Sequence, residues 1–329
     1  MKNIMITGGT GSFGRKFIEI ILKKYKPKKI IVYSRDELKQ SQMQQNWPAG
    51  GGGVMRYFIG DVRDYNRLKM AMQGVDLVVH AAALKQVPTA EYNPFEAVKT
   101  NVIGAQNVID AAISSGVKKV IALSTDKAAA PINLYGATKL VSDKLFIAAN
   151  NYRGSNEIKL SVVRYGNVLG SRGSIIPLFL NQRKTGTISI TDERMTRFNI
   201  TLDQGVQFVL DCIEKMWGGE TFIPRIPSFR VIDLAAAIAP DCKRKIIGIR
   251  PGEKLHEDLI TKNDSLNCVE FNDYFVMLPS TCLWDVDKFI QNSNSSIGKM
   301  CEEGWSYNSG TNPTFLSENQ IRKLIKQFQ

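Results

Sequence analysis

The amino-acid sequence predicts an α/β protein with a Rossmann-like, doubly wound parallel sheet and a smaller, discontinuous C-terminal domain. Short β-branched segments alternate with segments of helical apolar spacing through the first half, a pattern typical of a parallel sheet covered on both faces. A glycine-rich loop separates the first such strand from the first helix. The 329 residues, 43% of them hydrophobic, suffice for a large core.

The predicted strands and helices of the first half alternate along the chain. The predicted strands are Lys2–Thr7, Lys29–Tyr33, Val54–Ile59, Leu77–His80, Lys119–Leu123 and Leu160–Arg164. The predicted helices are Phe13–Lys24, Asp64–Met72, Phe95–Ser115 and Tyr135–Asn150. Right-handed crossovers between parallel strands bring their carboxyl ends to one edge of the sheet, where α/β proteins build their sites.

The second half is less regular. Gln204–Trp217 and Ser228–Ile238 have helical spacing, Asn181–Asn199 suggests loop and short strands, and Ile246–Leu259 opens with a strand. We assign residues 1–166, with 195–240 returning to them, to the Rossmann domain. Residues 167–194 and 241–329 then form the smaller domain.

Composition excludes several classes of protein. The net charge is +12, but the basic residues are dispersed and no nucleic-acid motif accompanies them, so we expect no nucleic-acid partner. Five scattered cysteines without a Cys-x-x-Cys pair, and only two histidines, argue against a disulfide framework or a metal site. The apolar runs are too short to span a membrane, and no signal peptide precedes the first strand. We therefore expect a cytoplasmic protein.

The loop after the first strand has the spacing Gly8-x-x-Gly11-x-x-Gly14. Gly8 permits a tight turn, Gly11 lets the backbone approach a pyrophosphate, and Gly14 lets the helix pack close to the strand. A glycine triplet alone is compatible with an ordinary tight turn. The strand–loop–helix context favours a dinucleotide.

The end of the second strand predicts which dinucleotide binds. An NAD site usually has a carboxylate here, whereas this chain has Ser34 followed by Arg35. A hydroxyl and a guanidinium suit a 2′-phosphate, and Lys39 adds charge one turn later. We predict NADP, although Asp36 keeps NAD open and Arg35 also fits a surface position.

Further cofactor residues follow the third and fourth strands. The carboxylate of Asp61 can accept from the adenine amino group, and the small Ala81 and Ala82 let the cofactor lie close, although alanines also suit helix–strand packing. The predicted cofactor site comprises Gly8, Thr10, Gly11, Ser12, Phe13, Gly14, Ser34, Arg35, Lys39, Asp61, Val62, Ala81, Ala82, Thr100, Tyr135, Lys139 and Val168.

Two residue pairs carry the predicted chemistry. Tyr135 and Lys139 are four apart and share a helix face, so an ammonium can favour the ionised phenol that accepts a hydroxyl proton. A surface pair would have the same spacing. Asp126 and Lys127 end the preceding strand and supply the acid and base that elimination of water needs, although a capping Asp with a solvated Lys is also possible.

These residues together resemble the extended short-chain dehydrogenases/reductases that modify nucleotide sugars. Within them, the sequence is most similar to the inverting UDP-N-acetylglucosamine 4,6-dehydratases of pseudaminic acid biosynthesis. The similarity covers residues ~1–260 and is carried by 31–40, 80–85, 124–127, 133–139, 163–168, 170–174, 195–198 and 250–257. The Thr-Asp-Lys triplet at 125–127 is discriminating, because retaining 4,6-dehydratases usually have Asp-Glu there.

The resemblance implies a catalytic cycle. Tyr135 assists oxidation at C4 while NADP accepts the hydride, Lys127 removes the C5 proton, and Asp126 protonates the departing C6 hydroxyl. Hydride returns to C6 and C5 is reprotonated on the opposite face. The enzyme would be a hydro-lyase whose product is a UDP-2-acetamido-2,6-dideoxy-4-keto-hexose. Which group delivers the last proton is not decided by these residues.

The resemblance also implies a substrate site and an assembly. A UDP-linked N-acetylhexosamine would contact Lys85, Asn167, Arg172, Arg197, Arg250 and Glu253. We expect the smaller domain to bind this substrate and the protein to be a homo-oligomer, a dimer or a hexamer. The sequence departs from the family at Ala130, where Asn is more usual, at Trp217 and Asn199, and in the tail after residue 260.

Two other functions stay open. One is a UDP-hexosamine epimerase of the same fold. The other is a non-catalytic NADP-binding sensor, against which the intact Asp126, Lys127, Tyr135 and Lys139 argue, since binding alone requires no acid–base set.

Overall fold

The computed structural model of the protein describes residues 2–50, 53–170, 174–291 and 297–326. The strands of the first half are β1 (Asn3–Thr7), β2 (Lys29–Ser34), β3 (Met55–Ile59), β4 (Leu77–His80), β5 (Lys119–Thr125), β6 (Lys159–Tyr165) and β7 (Asn167–Val168). Those of the second half are β8 (Thr187–Ile190), β9 (Thr196–Ile200), β10 (Thr221–Pro224), β11 (Ser228–Arg230), β12 (Lys243–Ile246), β13 (Asp258–Ile260), β14 (Cys268–Glu270), β15 (Tyr274–Met277), β16 (Lys299–Met300) and β17 (Tyr307–Asn308).

The helices connect these strands. They are α1 (Ser12–Lys24), α2 (Glu37–Asn46), α3 (Tyr65–Ala71), α4 (Val87–Tyr92), α5 (Pro94–Val98), α6 (Gly104–Ser114), α7 (Leu134–Tyr152), α8 (Ile175–Arg183), α9 (Leu202–Lys215), α10 (Val231–Ile238), α11 (Val286–Gln291) and α12 (Glu318–Ile325). A π-helical turn, Lys99–Ile103, joins α5 to α6. Among the residues described, none of these helices has the length and apolar character needed to cross a bilayer.

The main sheet has ten strands in the order β16-β14-β15-β10-β6-β5-β4-β1-β2-β3. The seven strands from β10 to β3 are parallel to one another. The segment β3-β2-β1-β4-β5-β6 has the strand order of a doubly wound dinucleotide-binding sheet, which confirms the predicted fold class. The carboxyl ends of these strands meet at one edge.

Apolar cores cover both faces of this sheet. On one face Phe17, Ile18 and Ile21 of α1 pack with residues of α9 and the sheet. On the other face Val108 and Ile109 of α6 pack with residues of α3, α7 and the sheet. The near-continuous burial of β1, β2 and β4 follows from this double covering.

Several elements differ from the prediction because they have little apolar periodicity. Helix α2 was not predicted, since only Gln40 and Met43 of its residues are buried. Helix α8 ends inside the segment predicted as loop, and its buried residues are only Ile176 and Phe179. The helix predicted over Ser228–Ile238 begins at Val231, because the first three residues form β11 and pair with β9.

The second half contributes to two places. Strands β14, β15 and β16 extend the main sheet, so part of 241–329 hydrogen-bonds to it. Helices α8, α10 and α12 instead pack around a separate apolar core with β8. The predicted domain boundaries stay a prediction.

Candidate active site

A cleft of about 600 Å³ opens at the carboxyl ends of the parallel strands. It is lined by every residue of the predicted cofactor site, and also by Asp126, Lys127, Lys85 and Asn167. The topology thus brings together segments that are distant in the sequence, as expected for the switch point of a doubly wound sheet.

The glycine loop forms a tight cradle at the start of α1. Gly8 has φ +67°, and a side chain on it would come within 2.9 Å of the Ala82 backbone nitrogen. A side chain on Gly14 would come within 2.4 Å of the Gly9 carbonyl oxygen. Helix α1 has Gly11 as its N-cap and no side-chain cap, so its first amide groups are available to an anion. This geometry fits the pyrophosphate of a dinucleotide.

The end of β2 presents a hydroxyl and a cation. Gln40 Nε2 donates to Ser34 Oγ at 3.0 Å, so the Ser34 hydroxyl proton is left to donate elsewhere. Arg35 is more than half exposed, with its Nη1 3.7 Å from Asp61 Oδ2. Asp36 is the N-cap of α2, accepting from the Lys39 backbone at 2.9 Å, and its carboxylate also pairs with Lys39 Nζ.

Asp61 follows β3 and is held by a neighbouring cation. Arg63 Nε and Nη2 donate to Asp61 Oδ2 at 3.0 and 2.8 Å. Burial opposes ionisation of Asp61, but these hydrogen bonds outweigh it and lower the pKa of the carboxyl. Asp61 is therefore an ionised acceptor at the cleft wall.

Tyr135 and Lys139 lie one turn apart near the start of α7, and both are buried. The Asn133 side chain caps this helix by accepting from the Gly136 amide at 2.8 Å. Burial raises the pKa of Tyr135 to about 12, opposed by the ammonium of Lys127 and a hydrogen bond with Thr125. The cation that opposes the rise in the pKa of Tyr135 is thus Lys127, whereas the sequence analysis predicted that Lys139 would favour the ionised phenol. Burial lowers the pKa of Lys139, and Asp143 opposes that shift.

Asp143 was not predicted as part of the site. It lies a further turn along α7, and its Oδ2 accepts from Ser124 Oγ at 2.6 Å and lies 3.4 Å from Arg164 Nη2. The signal that could have revealed it is its spacing, because Tyr135, Lys139 and Asp143 recur every four residues on one helix face.

Asp126 and Lys127 form a charged cluster with a third residue, Glu257. Lys127 Nζ lies 3.0 Å from Asp126 Oδ1 and 3.1 Å from Glu257 Oε1. Both carboxylates are almost fully buried. Burial would lower the pKa of Lys127, but the two carboxylates outweigh it and raise that pKa above its usual range. Sequence reasoning missed Glu257, although it ends the 250–257 motif.

The segment that carries Glu257 is tied to the catalytic loop. Lys254 Nζ donates to the Ala129 carbonyl at 2.7 Å, and Asn133 Nδ2 donates to the Gly252 carbonyl at 2.8 Å. Gly136 allows close packing there, because a side chain on it would come within 2.1 Å of the Lys127 carbonyl oxygen.

The predicted substrate residues fall into two groups. Lys85 and Asn167 line the cleft, and burial lowers the pKa of Lys85. The Asn167 Oδ1 atom is buried without a hydrogen-bond partner among the residues described, as is Oδ1 of its neighbour across the β7–β9 ladder, Asn199.

Three further predicted substrate residues that the structure describes, Arg197, Arg250 and Glu253, do not line the cleft. Arg197 Nη1 donates to the carbonyls of Thr196 and Leu255 at 2.6 and 3.2 Å, and its Nε lies 3.7 Å from Glu257 Oε1. Arg250 is exposed and pairs with Glu253. Arg172 lies outside the described residues. A diphosphate-binding role for these residues therefore stays a prediction.

Comparison with known proteins places the chain among nucleotide-sugar enzymes. The family model described as polysaccharide biosynthesis protein matches residues 4–279. An inverting UDP-N-acetylglucosamine 4,6-dehydratase of Campylobacter jejuni is 55% identical over 327 residues, covering 98% of this chain and 97% of that enzyme. A UDP-glucose 4-epimerase of Rickettsia canadensis is 46% identical over 284 residues, covering 83% of this chain and 82% of the epimerase.

A solved structure agrees with the fold along the whole chain. The structure of Pen from Bacillus thuringiensis is 39% identical and superposes with a TM-score of 0.89. The match covers 100% of this chain and 98% of that one. The agreement therefore includes the tail after residue 260, where the sequence motifs end.

Proposed function

This chain belongs to the polysaccharide biosynthesis protein family, and on that premise we propose that it is an inverting UDP-N-acetylglucosamine 4,6-dehydratase. The product would be a UDP-2-acetamido-2,6-dideoxy-4-keto-hexose with inverted C5. The observation that carries the proposal is the juxtaposition of Asp126 and Lys127 with Tyr135 in one cleft. An alcohol oxidation needs the phenol alone, whereas elimination of water also needs an acid and a base.

The cofactor of this reaction is a nicotinamide dinucleotide bound in the glycine cradle. When bound, it supplies a hydride acceptor for C4 and a hydride donor for C6. Gly8, Gly11 and the α1 amino end would hold its pyrophosphate, and Lys139 its nicotinamide ribose. Asp61 would accept from the adenine amino group.

The residues at the end of β2 support NADP rather than NAD as the cofactor. Asp36 is the cap of α2 and pairs with Lys39, so both of its oxygens already have a partner and its charge is partly neutralised. Ser34 and the exposed Arg35 offer a hydroxyl and a guanidinium, which suit a 2′-phosphate.

The chain's own groups divide the proton transfers. Tyr135 Oη accepts the proton of the C4 hydroxyl as C4 becomes a ketone, and that ketone acidifies the C5 proton. Lys127 Nζ in its neutral form removes the C5 proton. Asp126 in its protonated form donates to the C6 oxygen, which leaves as water. Transfer of a proton from Lys127 to Asp126 at 3.0 Å restores both starting forms. The proton that Tyr135 has taken balances the one that C5 regains on its opposite face as hydride returns to C6.

Further properties follow from the same proposal. As a dehydratase the protein is a lyase, and its product is of the kind that pseudaminic acid biosynthesis consumes. We propose that it works in the cytoplasm as a homo-oligomer, a dimer or a hexamer. The identity to the Campylobacter dehydratase along nearly the whole chain supports the assignment as a dehydratase.

The test is incubation of the purified protein with UDP-N-acetylglucosamine and cofactor, followed by NMR of the products. We expect a new 6-methyl signal and deuterium at C5 in deuterated water. A changed ring configuration with the C6 oxygen retained would instead establish the epimerase, and no turnover would favour the sensor. The control is Tyr135→Phe, which removes only the phenol hydroxyl and should abolish the methyl signal.

A further inference from the structure

Glu257 is a buried carboxylate that contacts the proposed base without lining the cleft. Its side chain is 2% exposed, and its Oε1 lies 3.1 Å from Lys127 Nζ. Its Oε2 is buried and accepts no hydrogen bond from the residues described. A buried carboxylate is costly unless it is paired, and Lys127 is the nearer of the two cations that pair with Glu257.

The tail of the chain fixes Glu257 in place. Ser309 Oγ accepts from the Glu257 amide at 2.9 Å, and the Ser309 amide donates to the Glu257 carbonyl at 2.8 Å. Ser309 is itself fully buried and hydrogen-bonds Thr196 Oγ1 at 2.8 Å. The backbone of Glu257 is therefore held at both its donor and its acceptor.

Lys127 is surrounded by charged and titratable groups from four directions. Asp126 lies beside it on the same loop, and Glu257 faces it from the segment before β13. Arg197 of β9 lies behind Glu257, with its Nε 3.7 Å from Glu257 Oε1. Tyr135 of α7 is the group on the cleft side.

The two carboxylates determine which way the amine points. A lysine ammonium has three N–H donors, and a neutral amine has two N–H donors and one lone pair. Asp126 and Glu257 each accept one donor of Lys127. Because Lys127 lines the cleft, its remaining tetrahedral position is open to the sugar. In the neutral amine that position holds the lone pair.

We propose that Glu257 is a positioning residue for Lys127, acting with Asp126 to direct the Nζ lone pair at the C5 proton. This inference rests on the proposed dehydratase function. When Lys127 takes the C5 proton, a positive charge develops on Nζ in the transition state. The carboxylate of Glu257 stabilises this charge, and Asp126 adds to it once its own proton has passed to the C6 oxygen.

The test uses Glu257→Gln, which keeps the size of the side chain and removes its charge. An opposite charge at this distance shifts a pKa by about 1–3 units, so the pKa of Lys127 should fall by that amount. The rate of C5 proton exchange, which rises as Lys127 loses its proton, should then rise at lower pH than in the wild type. The maximal exchange rate should fall about 10–100-fold, because the remaining base is weaker and less well oriented. The KM for the nucleotide sugar should change little.

Two measurements report the effect. NMR titration of ¹³Cε-labelled lysine follows Lys127 directly, with its signal assigned by its loss in Lys127→Ala. Exchange of the C5 proton in deuterated water follows the chemistry. Glu270→Gln is the matched control, because Glu270 of β14, next to the edge strand β16, pairs with Arg225 at 2.6 Å and should leave both measurements unchanged.

Glu257→Asp distinguishes the effect of the position of the carboxylate from the effect of its charge. It also replaces Glu257→Gln as the test if that variant does not fold. It keeps the negative charge on a shorter side chain, so the maximal exchange rate should fall while the pH profile stays near that of the wild type. A wild-type rate in Glu257→Asp together with an unshifted Lys127 titration in Glu257→Gln would overturn the inference.

The two proposals fail in different ways. If the wild-type protein forms no 6-methyl product, the dehydratase function is wrong, and the lysine titration still tests the pairing of Glu257 with Lys127. If the wild type dehydrates its substrate and Glu257→Gln matches it in rate and pH profile, only the role of Glu257 is wrong.

Discussion

Several residues of the cleft have a buried polar atom without a hydrogen-bond partner. Buried polar side chains normally have hydrogen-bond partners, and each exception requires a reason. Among the residues described, Thr100 Oγ1, Asp126 Oδ2 and Asn167 Oδ1 are buried without a partner, and all three residues line the cleft. Atoms of this kind are available to a ligand, so the cleft offers hydrogen-bond partners to a polar molecule.

Arg35 provides a test of cofactor choice at the scale of one residue. Replacing it with Ala should weaken NADP binding by about 10–100-fold and NAD binding little, because a charge-assisted hydrogen bond to the 2′-phosphate contributes about 1.5–3 kcal/mol. Calorimetric titration with each cofactor measures the two affinities. The control is Arg67→Ala, whose guanidinium lies 5.1 Å from the Phe58 ring, outside the cleft lining. An equal loss for both cofactors would contradict a 2′-phosphate role.

At the scale of elements, the loop between β5 and α7 contains Asp126 and Lys127, the proposed acid and base, and its backbone is strained at Ala130. Ala130 has φ +43° and is the only non-glycine residue with a positive φ among those described. Asn and Gly tolerate this region better than Ala does. The structure thus gives a physical reason why Asn is more usual at this position in the family.

Ala130→Gly should therefore stabilise the protein. Relief of the left-handed conformation should raise the free energy of unfolding by about 1 kcal/mol and the melting temperature by about 1–2 °C. Differential scanning calorimetry measures both. The neighbouring Ala129 has φ −81°, so Ala129→Gly should destabilise instead. A lower melting temperature for Ala130→Gly would show that Ala130 is not strained.

At the scale of the whole molecule, the tail completes the main sheet and the site. Trp217, atypical for the family, packs edge-on against Trp284 and Phe289, with ring centroids 5.6 and 5.5 Å away. Ser309 fixes the backbone of Glu257. Residues beyond 260, where the recognisable motifs end, therefore support both the fold and the acid–base cluster.

Stability of the whole protein should depend on pH through His80. Burial and the charge of Lys139 lower the pKa of His80 to about 3, so the folded protein keeps this ring neutral. Between pH ~6.5 and ~3 the unfolded chain binds a proton that the folded chain does not, so stability rises with pH in this window. Each unit below pH ~6 should lower the free energy of unfolding by up to about 1.4 kcal/mol from this group.

Denaturant unfolding at several pH values between about 4 and 7 measures the free energy of unfolding at each pH. His80→Gln removes the titrating ring, so the slope of stability against pH should decrease by about one proton. Parallel slopes for the two proteins would mean that His80 is not held neutral. The slope comparison isolates His80 because His256 and the carboxylates are common to both.

Much of the fold was predictable because its signals are local. The alternation of β-branched strands and amphipathic helices specifies β1 to β6, and the glycine spacing specifies the cradle. Helices α2 and α8 were missed or misplaced because each buries only two residues and has almost no apolar stripe. Their positions depend on what surrounds them.

By itself, the sequence determined the alternation of strands and helices, the glycine cradle and the helical spacing of Tyr135 and Lys139, since each depends on residues close together in the chain. Only the tertiary structure decided that Glu257 faces Lys127 and that Arg197 donates to backbone carbonyls. It also decided that Ser309 of the tail hydrogen-bonds Glu257 and Thr196. Such contacts join distant segments, as Lys254 and Ala129 do across 125 residues. No local periodicity encodes which buried charges meet, because that depends on how the packed elements close around them.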